Sequence, residues 1–529
     1  MSTKTKNFVK GAAVLGIIGL VVKVIGAVFR IPLANIIDTQ GIANYQIVYP
    51  TYALLLVIST AGLPTAIAKM VSEKRAVEDY VGAKQIFTVS LRMLLIIGAA
   101  STLLLFGLSH ILAAAQGVPE ASVAYMGIAP ALFFVAVISS YRGYFQGMQM
   151  MAPTGFSQLV EQLGKLVVGL WLAKSLLHLG PEYGALGALI GVSVSEVLAL
   201  VLLMIIYRRN KERLEIELEK TNPQAKRDHT KAVLKKLLVI AIPITLGACV
   251  MPIVMWIDSA IVVRGLMSIG FAKEAAADKF ALLSGYVNPL INMPAVLSLA
   301  LAMSLVPAIS SYKAQNRVKD LQEQSGLGFK IALLVGLPAA TGYILLAKPI
   351  IQLLYRNLDG AKLAETGTLL IIMSIGVLVL TMLQTMTGIL QGLGKVQIPV
   401  INLAIGAAVK VVLSFVLIRI PEINVKGAAL GTVACYTVAA VLDVIAVVKY
   451  SKMRLHFVGY IVKPLACTAL MGAVVYFLYP FLYGMTDSNT VSAMGAILAG
   501  VVVYAGALLL TRTVTKEEIA SIRGKEAKA

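Results

Sequence analysis

Charge is scarce in this chain. Asp, Glu, Lys and Arg make up 14% of its 529 residues, against about 25% in soluble domains. Cysteine is scarcer still. Cys249, Cys435 and Cys467 all fall in apolar stretches and form no close-spaced pair, which argues against a disulfide framework or a zinc site. His110, His178, His229 and His456 sit at the ends of apolar stretches or in loops without His-x-x-x-His spacing, so no metal site is indicated. A Gly-x-x-x-x-Gly-Lys-Ser/Thr loop is missing, as is a soluble stretch large enough for an ATPase. Nucleotide hydrolysis therefore has no place to happen.

What the chain has is apolar length. Hydrophobic residues make up 58% of it and the mean hydropathy is +0.85. Runs of roughly 20 apolar residues, enough to cross a bilayer as a helix, recur between short polar interruptions. Fourteen can be counted, near 8–30, 43–68, 86–112, 121–141, 156–179, 184–207, 237–263, 280–312, 328–354, 363–388, 399–419, 424–448, 457–480 and 490–511. The net charge of +20 raises the question of nucleic acid, and its placement answers it. With both termini on the cytoplasmic side, most Lys and Arg fall in inner loops, as the positive-inside rule requires. The loop 208–236 alone carries ten of them, including Arg208, Arg209, Lys211, Arg213, Lys226, Arg227, Lys235 and Lys236. Anionic membrane lipid is the expected partner of such a loop, and nucleic acid is not. The basic start (Lys4, Lys6, Lys10) and first apolar run resemble a signal peptide poorly, because the run is long and contains Lys23.

The chain also repeats itself. Pro181-Glu182, Gly187-Ala188 and Gly191 recur at one offset as Pro421-Glu422, Gly427-Ala428 and Gly431. Gly143-x-x-Gln146-Gly147 recurs as Gly388-x-x-Gln391-Gly392, each followed by a proline, Pro153 or Pro399. Lys165 is answered by Lys410, and Pro64 and Arg75 by Pro307 and Arg317. The expected fold is all-α and membrane-integral, with about 14 transmembrane helices in two pseudo-symmetric six-helix lobes plus a C-terminal pair. Its divisions are 1–207, a basic cytoplasmic linker 208–236, a second lobe 237–455, and a helix pair with a basic tail in 456–529. An even number of spans per repeat sends both lobes in from the same side, an arrangement of transporters with a central site. The Gly-x-x-Gln-Gly motifs read as tight turns after the fourth and tenth spans.

Polar residues inside spans carry the functional information, because a charge in hydrocarbon costs about 2.5–3.5 kcal/mol on insertion scales. Lys23 lies past the middle of the first run and Arg30 near its outer end, while Lys165 and Lys410 lie near mid-membrane. Together they point to a cationic cavity. Each has a structural reading as well: Arg30 as a snorkelling side chain, and Lys165 as the ion-pair partner of Glu161, four residues before it. Lys23 and Lys410 have no such neighbour. Glu196, at mid-depth, reads as the neutraliser of a lysine or as a coupling group. Asp258, six residues before Arg264, reads as half of a gate pair or as an interface charge.

Lys23-Val24-Ile25-Gly26, Arg30-Ile31-Pro32, Gly41, Tyr45-Gln46, Tyr49-Pro50 and Gly62-Leu63-Pro64, with fourteen spans, resemble the polysaccharide-transport branch of the multidrug/oligosaccharidyl-lipid/polysaccharide exporter superfamily. Within it, the resemblance is to the stage V sporulation protein B group and its lipid II flippase relatives. It implies a bilobed flippase of the bacterial plasma membrane. Such a protein carries an undecaprenyl-diphosphate-linked cell-wall precursor from the inner to the outer leaflet by alternating access. By the resemblance Lys23 and Arg30 match cationic cavity positions of the first helix. The family's further cavity arginines on the second and eighth helices have no counterpart in 54–59 or 286–294, where Asn288 and Asn292 offer hydrogen bonds instead. For such a substrate Lys23, Lys410 and Arg30 would hold the diphosphate, and Asn44, Tyr45, Gln46 and Tyr49 would bond or stack on sugars. No cofactor is called for; the membrane potential, sodium and protons are the candidate driving forces. The partners are a polyprenyl-diphosphate-linked saccharide, membrane lipids and, as candidates, cell-wall synthesis proteins.

Three rival readings differ in what they require. A cation-coupled multidrug exporter wants an acid deep in an early helix, and the first run has none. A membrane enzyme using lipid-linked sugars needs carboxylates or histidines clustered in a sizeable loop, and the largest loop is basic. A channel or scaffold leaves the duplication without a purpose.

Overall fold

A computed structural model of the chain describes residues 3–219, 221, 228–358, 360–453 and 456–513, with side chains from 16 onward except those of 17 and 213. Every regular element among the described residues is helical, as expected where no water is present to satisfy open backbone groups. Lys226, Arg227 and the tail from 514 lie outside the described residues.

Helix α1, Thr3–Thr60, runs through what the sequence divides into two spans. The division is there, as a kink. Asp38 takes a positive φ of 56° with ψ −169°, outside the helical region, and its Oδ1 accepts the Gly41 N–H at 3.0 Å. That bond caps the second half, which is bent again at Pro50. There follow α2 (Leu63–Ala76), α3 (Tyr80–Gly107), α4 (Ser109–Ala115), α5 (Ser122–Gly147) and α6 (Met151–Gly164). A π-turn, Lys165–Gly169, joins α6 to α7 (Leu170–Leu176). Then come α8 (Pro181–Arg209), α9 (Lys211–Glu219), α10 (Thr230–Ser268) and α11 (Lys273–Ala281). A second π-turn, Leu282–Val287, leads into α12 (Asn288–Ala314), α13 (Val318–Leu345), α14 (Ala347–Leu354), α15 (Gly360–Gly392), α16 (Gln397–Leu417) and α17 (Lys426–Ser451). The chain closes with α18 (Lys463–Thr486) and α19 (Asn489–Leu510). Among the described residues twelve helical segments are long and apolar enough to cross a membrane. One of them, Ile18–Ala76, has 59 residues and holds two passes about the Asp38 kink. The broken run from α6 to α7 supplies a further pass, so fourteen crossings can be traced.

Two compact units divide at 281/282: Met1–Ala281 (unit 1) and Leu282–Ala529 (unit 2). The packing units and the sequence repeat are thus cut in different places, because α10 and α11 are bonded into unit 1. Gln116 Nε2 donates to Ser259 Oγ of α10 at 2.9 Å, Gln40 Nε2 donates to Asp278 Oδ1 of α11 at 2.7 Å, and Lys273 pairs with Glu120 at 2.6 Å. The core of unit 1 is built round Phe87, whose ring stacks on Tyr144 at 4.6 Å and meets Tyr141 edge-on at 5.2 Å. The described part of the basic loop is docked on this unit. Arg75 grips Glu217 of α9 with two hydrogen bonds, 2.8 and 3.2 Å, and Lys74 pairs with Asp228 at 3.1 Å.

The duplicated glycines are helix crossings. A Cβ on Gly191 of α8 would run into the backbone of Gly169, and one on its repeat mate Gly431 of α17 would meet the Ser414 hydroxyl of α16. The same helix pair therefore crosses in each unit, at positions where only a missing side chain permits the approach. The Gly-x-x-Gln-Gly motifs differ from expectation. They form the last helical turns of α5 and α15, and the chain reverses just beyond them at Gln149 (φ 60°) and Gly394 (φ 71°). In unit 2, α18 and α19 form a hairpin that rests on α13 and α14. Tyr504 Oη donates to the Leu334 carbonyl at 3.0 Å, and Asn489 Nδ2 to that of Pro349 at 3.0 Å.

Candidate functional site

Unit 1 gathers cations and aromatic rings on the two halves of α1. Lys165 opens the π-turn, an irregularity that re-aims a side chain, and its Nζ lies 5.0 Å from the Phe29 ring centre and 5.5 Å from that of Tyr49. Arg30 stands over the same Tyr49 ring at 5.9 Å. Tyr49 stacks on Tyr45 at 5.8 Å and leans on Tyr52 at 6.0 Å. Four expected residues, Arg30, Tyr45, Tyr49 and Lys165, thus meet in one cluster, with both cations against the Tyr49 ring. Each cation–ring contact is worth about 0.5–2 kcal/mol, more where water is excluded.

Lys165 does not pair with Glu161. Glu161 is taken by Arg142 at 3.0 Å, and Arg142 also donates from Nε to Ser157 Oγ at 2.9 Å. Among the described residues Lys165 makes no ion pair within 4.0 Å; the Phe29 and Tyr49 rings are its close contacts, and the carboxyl groups of Glu161 and Glu196 act on it from farther off. Glu196 is buried at 3% exposure beside this group, and its Oε2 has no hydrogen-bond partner.

The other expected residues are distributed as follows. Lys23 is exposed on α1, seven residues before Arg30, and so lies on the same side of the helix. Asn44 and Gln46 are buried inside unit 1; Asn44 Nδ2 donates to the Gln40 carbonyl at 3.1 Å, while its Oδ1 has no partner. Arg264 is exposed and donates to the Ala114 carbonyl at 3.2 Å, and Asp258 is half-buried on the same helix. In unit 2, Asn292 Nδ2 donates to the Asn288 carbonyl at 2.8 Å, and Lys410 is buried within the bundle at 7% exposure. Sequence reasoning missed Arg142, Phe29 and Tyr52. Arg142 sits one residue past the fourth apolar run and directly before a repeated glycine, a position that could have marked it.

Unit 2 contains an apolar groove of about 660 Å³ between α12, α13 and the α18–α19 hairpin. Pro294, Leu334, Pro338, Val475 and Val501 help to line it. Its tyrosines turn their hydroxyls to backbone: Tyr343 donates to the Leu290 carbonyl at 2.8 Å, and Tyr504 to Leu334. A groove stripped of free polar groups in this way suits a flexible hydrocarbon chain.

The chain matches the family described as polysaccharide biosynthesis protein over residues 8–313, and the MatE family over residues 279–416. It is 25% identical over 518 residues to stage V sporulation protein B of Bacillus subtilis (strain 168), with 98% of each chain covered. To the lipid II flippase MurJ of the same organism it is 27% identical over 517 residues, with 94% of each covered. A solved structure of lipid II flippase MurJ in an inward closed conformation superposes with a TM-score of 0.69 at 16% identity, over 94% of this chain and 98% of that one. That last likeness is one of fold.

Proposed function

Because the chain belongs to the polysaccharide biosynthesis protein family, in the polysaccharide-transport branch of the multidrug/oligosaccharidyl-lipid/polysaccharide exporter superfamily, we propose that it is a flippase for lipid-linked saccharides. Its substrate on this reading is an undecaprenyl-diphosphate-linked cell-wall precursor, similar to lipid II, moved from the inner to the outer leaflet by alternating access. The observation that carries the reading is the cluster of Lys165 and Arg30 on the Tyr45–Tyr49 rings.

A diphosphate cannot cross hydrocarbon unaided, since it would lose its hydration. Cations held in place must substitute for the water. Lys165 and Arg30 are held by aromatic faces, with no carboxylate among the described residues in direct ion-pair contact with Lys165. Lys23, on the same side of α1 as Arg30, is the third cation of this reading, and Lys410, the repeat mate of Lys165, is the fourth, in unit 2. The tyrosines then serve a second purpose, offering flat faces to sugar rings. The groove of unit 2 offers the polyprenyl tail a path lined by hydrocarbon. With the inside negative, each negative charge carried outward gains about 2.3 kcal/mol per 100 mV, so the membrane potential suffices as a driving force.

The test is reconstitution. In liposomes the protein should move a labelled polyprenyl-diphosphate saccharide between leaflets without lengthening it. Elongation of the precursor would make the chain an enzyme, and movement of amphipathic drugs with no movement of the precursor would make it a multidrug exporter.

A further inference from the structure

Unit 2 holds a carboxylate with no cation beside it. Asp443 of α17 is 0% exposed. Its Oδ1 accepts from Asn402 Nδ2 of α16 at 2.8 Å, and its Oδ2 from Thr387 Oγ1 of α15 at 2.9 Å. Three helices meet at this carboxyl group, and among the described residues no Lys, Arg or His reaches it within 4.0 Å. Lys410 lies eight residues beyond Asn402 along α16, about 12 Å away along the axis. Lys395 and Lys449 are occupied with the Tyr450 ring, at 4.8 and 5.6 Å. On α13, the other helix against α17, the charged residue inside the apolar stretch is Lys330, and α15 carries Lys362 and Glu365 near its far end.

The repeat shows what is unusual here. Thr387 and Asn402 stand 245 residues after Arg142 and Ser157, the offset that also relates Lys165 to Lys410. In unit 1 these positions hold a half-buried arginine and a serine, and Glu161 neutralises the arginine. In unit 2 they hold two neutral donors aimed at a buried anion, and no side chain neutralises it. Burying a lone charge is costly, and the cost vanishes when a small cation joins it. Asn402 and Thr387 each point one hydrogen at a carboxylate oxygen, which leaves each oxygen a second lone pair, enough for a proton, whereas a metal ion would need several further oxygen ligands. No cluster of three metal-ligating acids, histidines or cysteines occurs among the described residues either.

We infer that Asp443 is a proton-binding site of unit 2, loaded and emptied as the protein works. The carboxylate takes one proton from water, and the Thr387 hydroxyl turns from donor to acceptor as the new O–H forms. No other bond changes. That the exchange is coupled to movement of a substrate rests on the transporter reading above; the binding itself does not.

Infrared difference spectra of the reconstituted protein, stepped from about pH 9 to about pH 5 across the carboxyl range, read the site without any substrate. A carboxylic-acid C=O band is expected in the unaltered protein and should be missing in Asp443→Asn. In Thr387→Val, which keeps the carboxyl and removes one hydrogen bond, the band should move in frequency. Spectra of the unaltered protein and Asp443→Asn that coincide, while Thr387→Val also leaves the spectrum unmoved, overturn the proposal. So does an Asp443-dependent change that follows added sodium at fixed pH and not the pH step. For the coupling, dissipating the pH gradient should change the rate of precursor movement in the unaltered protein and leave the rate of Asp443→Asn where it was. Equal responses of the two proteins overturn the coupling.

Discussion

The two units treat buried charge in opposite ways at one and the same junction of helices. In unit 1, Arg142 reaches across to Ser157 and Glu161, and the charge is balanced by side chains that never leave. In unit 2 the matching positions are Thr387 and Asn402, and the charge they serve, that of Asp443, has only neutral company. The helix crossings beside these junctions are alike, since Gly191 and Gly431 bring equivalent helices together. A duplicated scaffold can thus preserve its packing while the polar residues at its joints diverge, an arginine–glutamate pair at one copy of the joint and neutral donors on an aspartate at the other.

This contrast can be broken most forcefully at Arg142. Arg142→Met leaves Glu161 with only the Gln162 amide, at 3.3 Å, and should cost about 3–4 kcal/mol of unfolding free energy, toward the low end for broken buried pairs because this one is partly exposed. Asp443→Asn, which removes a charge that has no ionic partner, should cost about 1 kcal/mol or less. Unfolding in detergent by heat or denaturant compares the two, and equal losses would erase the distinction between the units. A smaller effect is expected at the crossings. Gly191→Ala drives a methyl group into the backbone of Gly169 and should cost about 3 kcal/mol, whereas Gly431→Ala meets the Ser414 hydroxyl first and the Lys410 carbonyl less closely, at 3.2 Å, and should cost about 1–2 kcal/mol. If removing the Ser414 hydroxyl fails to relieve Gly431→Ala, the crossing is tighter than described. Smallest of all, Glu217→Ala should loosen α9 from Arg75 at a cost of about 1 kcal/mol or less. Faster proteolysis in 211–229 with unchanged global unfolding would show it.

How far the sequence could be read depended on the kind of force at each place. Apolar runs identify membrane helices because burial of hydrocarbon is proportional to length, and nearly every run between 8 and 511 became a helix. The repeat was legible because close crossings demand glycine at fixed positions, as at Gly187 and Gly427. Partner choice was not legible. Glu161 is four residues from Lys165, a spacing that suggests a pair along one helix, yet Arg142 from α5 is the cation that reaches it. The π-turn that begins at Lys165 turns this side chain toward Phe29 and Tyr49, and nothing in the local pattern announces it. The Asp38 kink was hidden for a related reason. One positive-φ residue with a capping carboxylate keeps the helical run going where the apolar pattern ends. Docking of α9 was missed because a loop rich in Lys and Arg reads as solvated, although two of its acids, Glu217 and Asp228, are what tie it down.

The central claim is that the cation cluster held by aromatic faces in unit 1 receives the anionic head of a lipid-linked saccharide. The most direct test is leaflet-to-leaflet movement of a labelled polyprenyl-diphosphate saccharide in liposomes by Lys165→Arg and Lys165→Gln, at matched protein amounts. Retained movement with Arg and none with Gln is the predicted result; undiminished movement with Gln would contradict the claim.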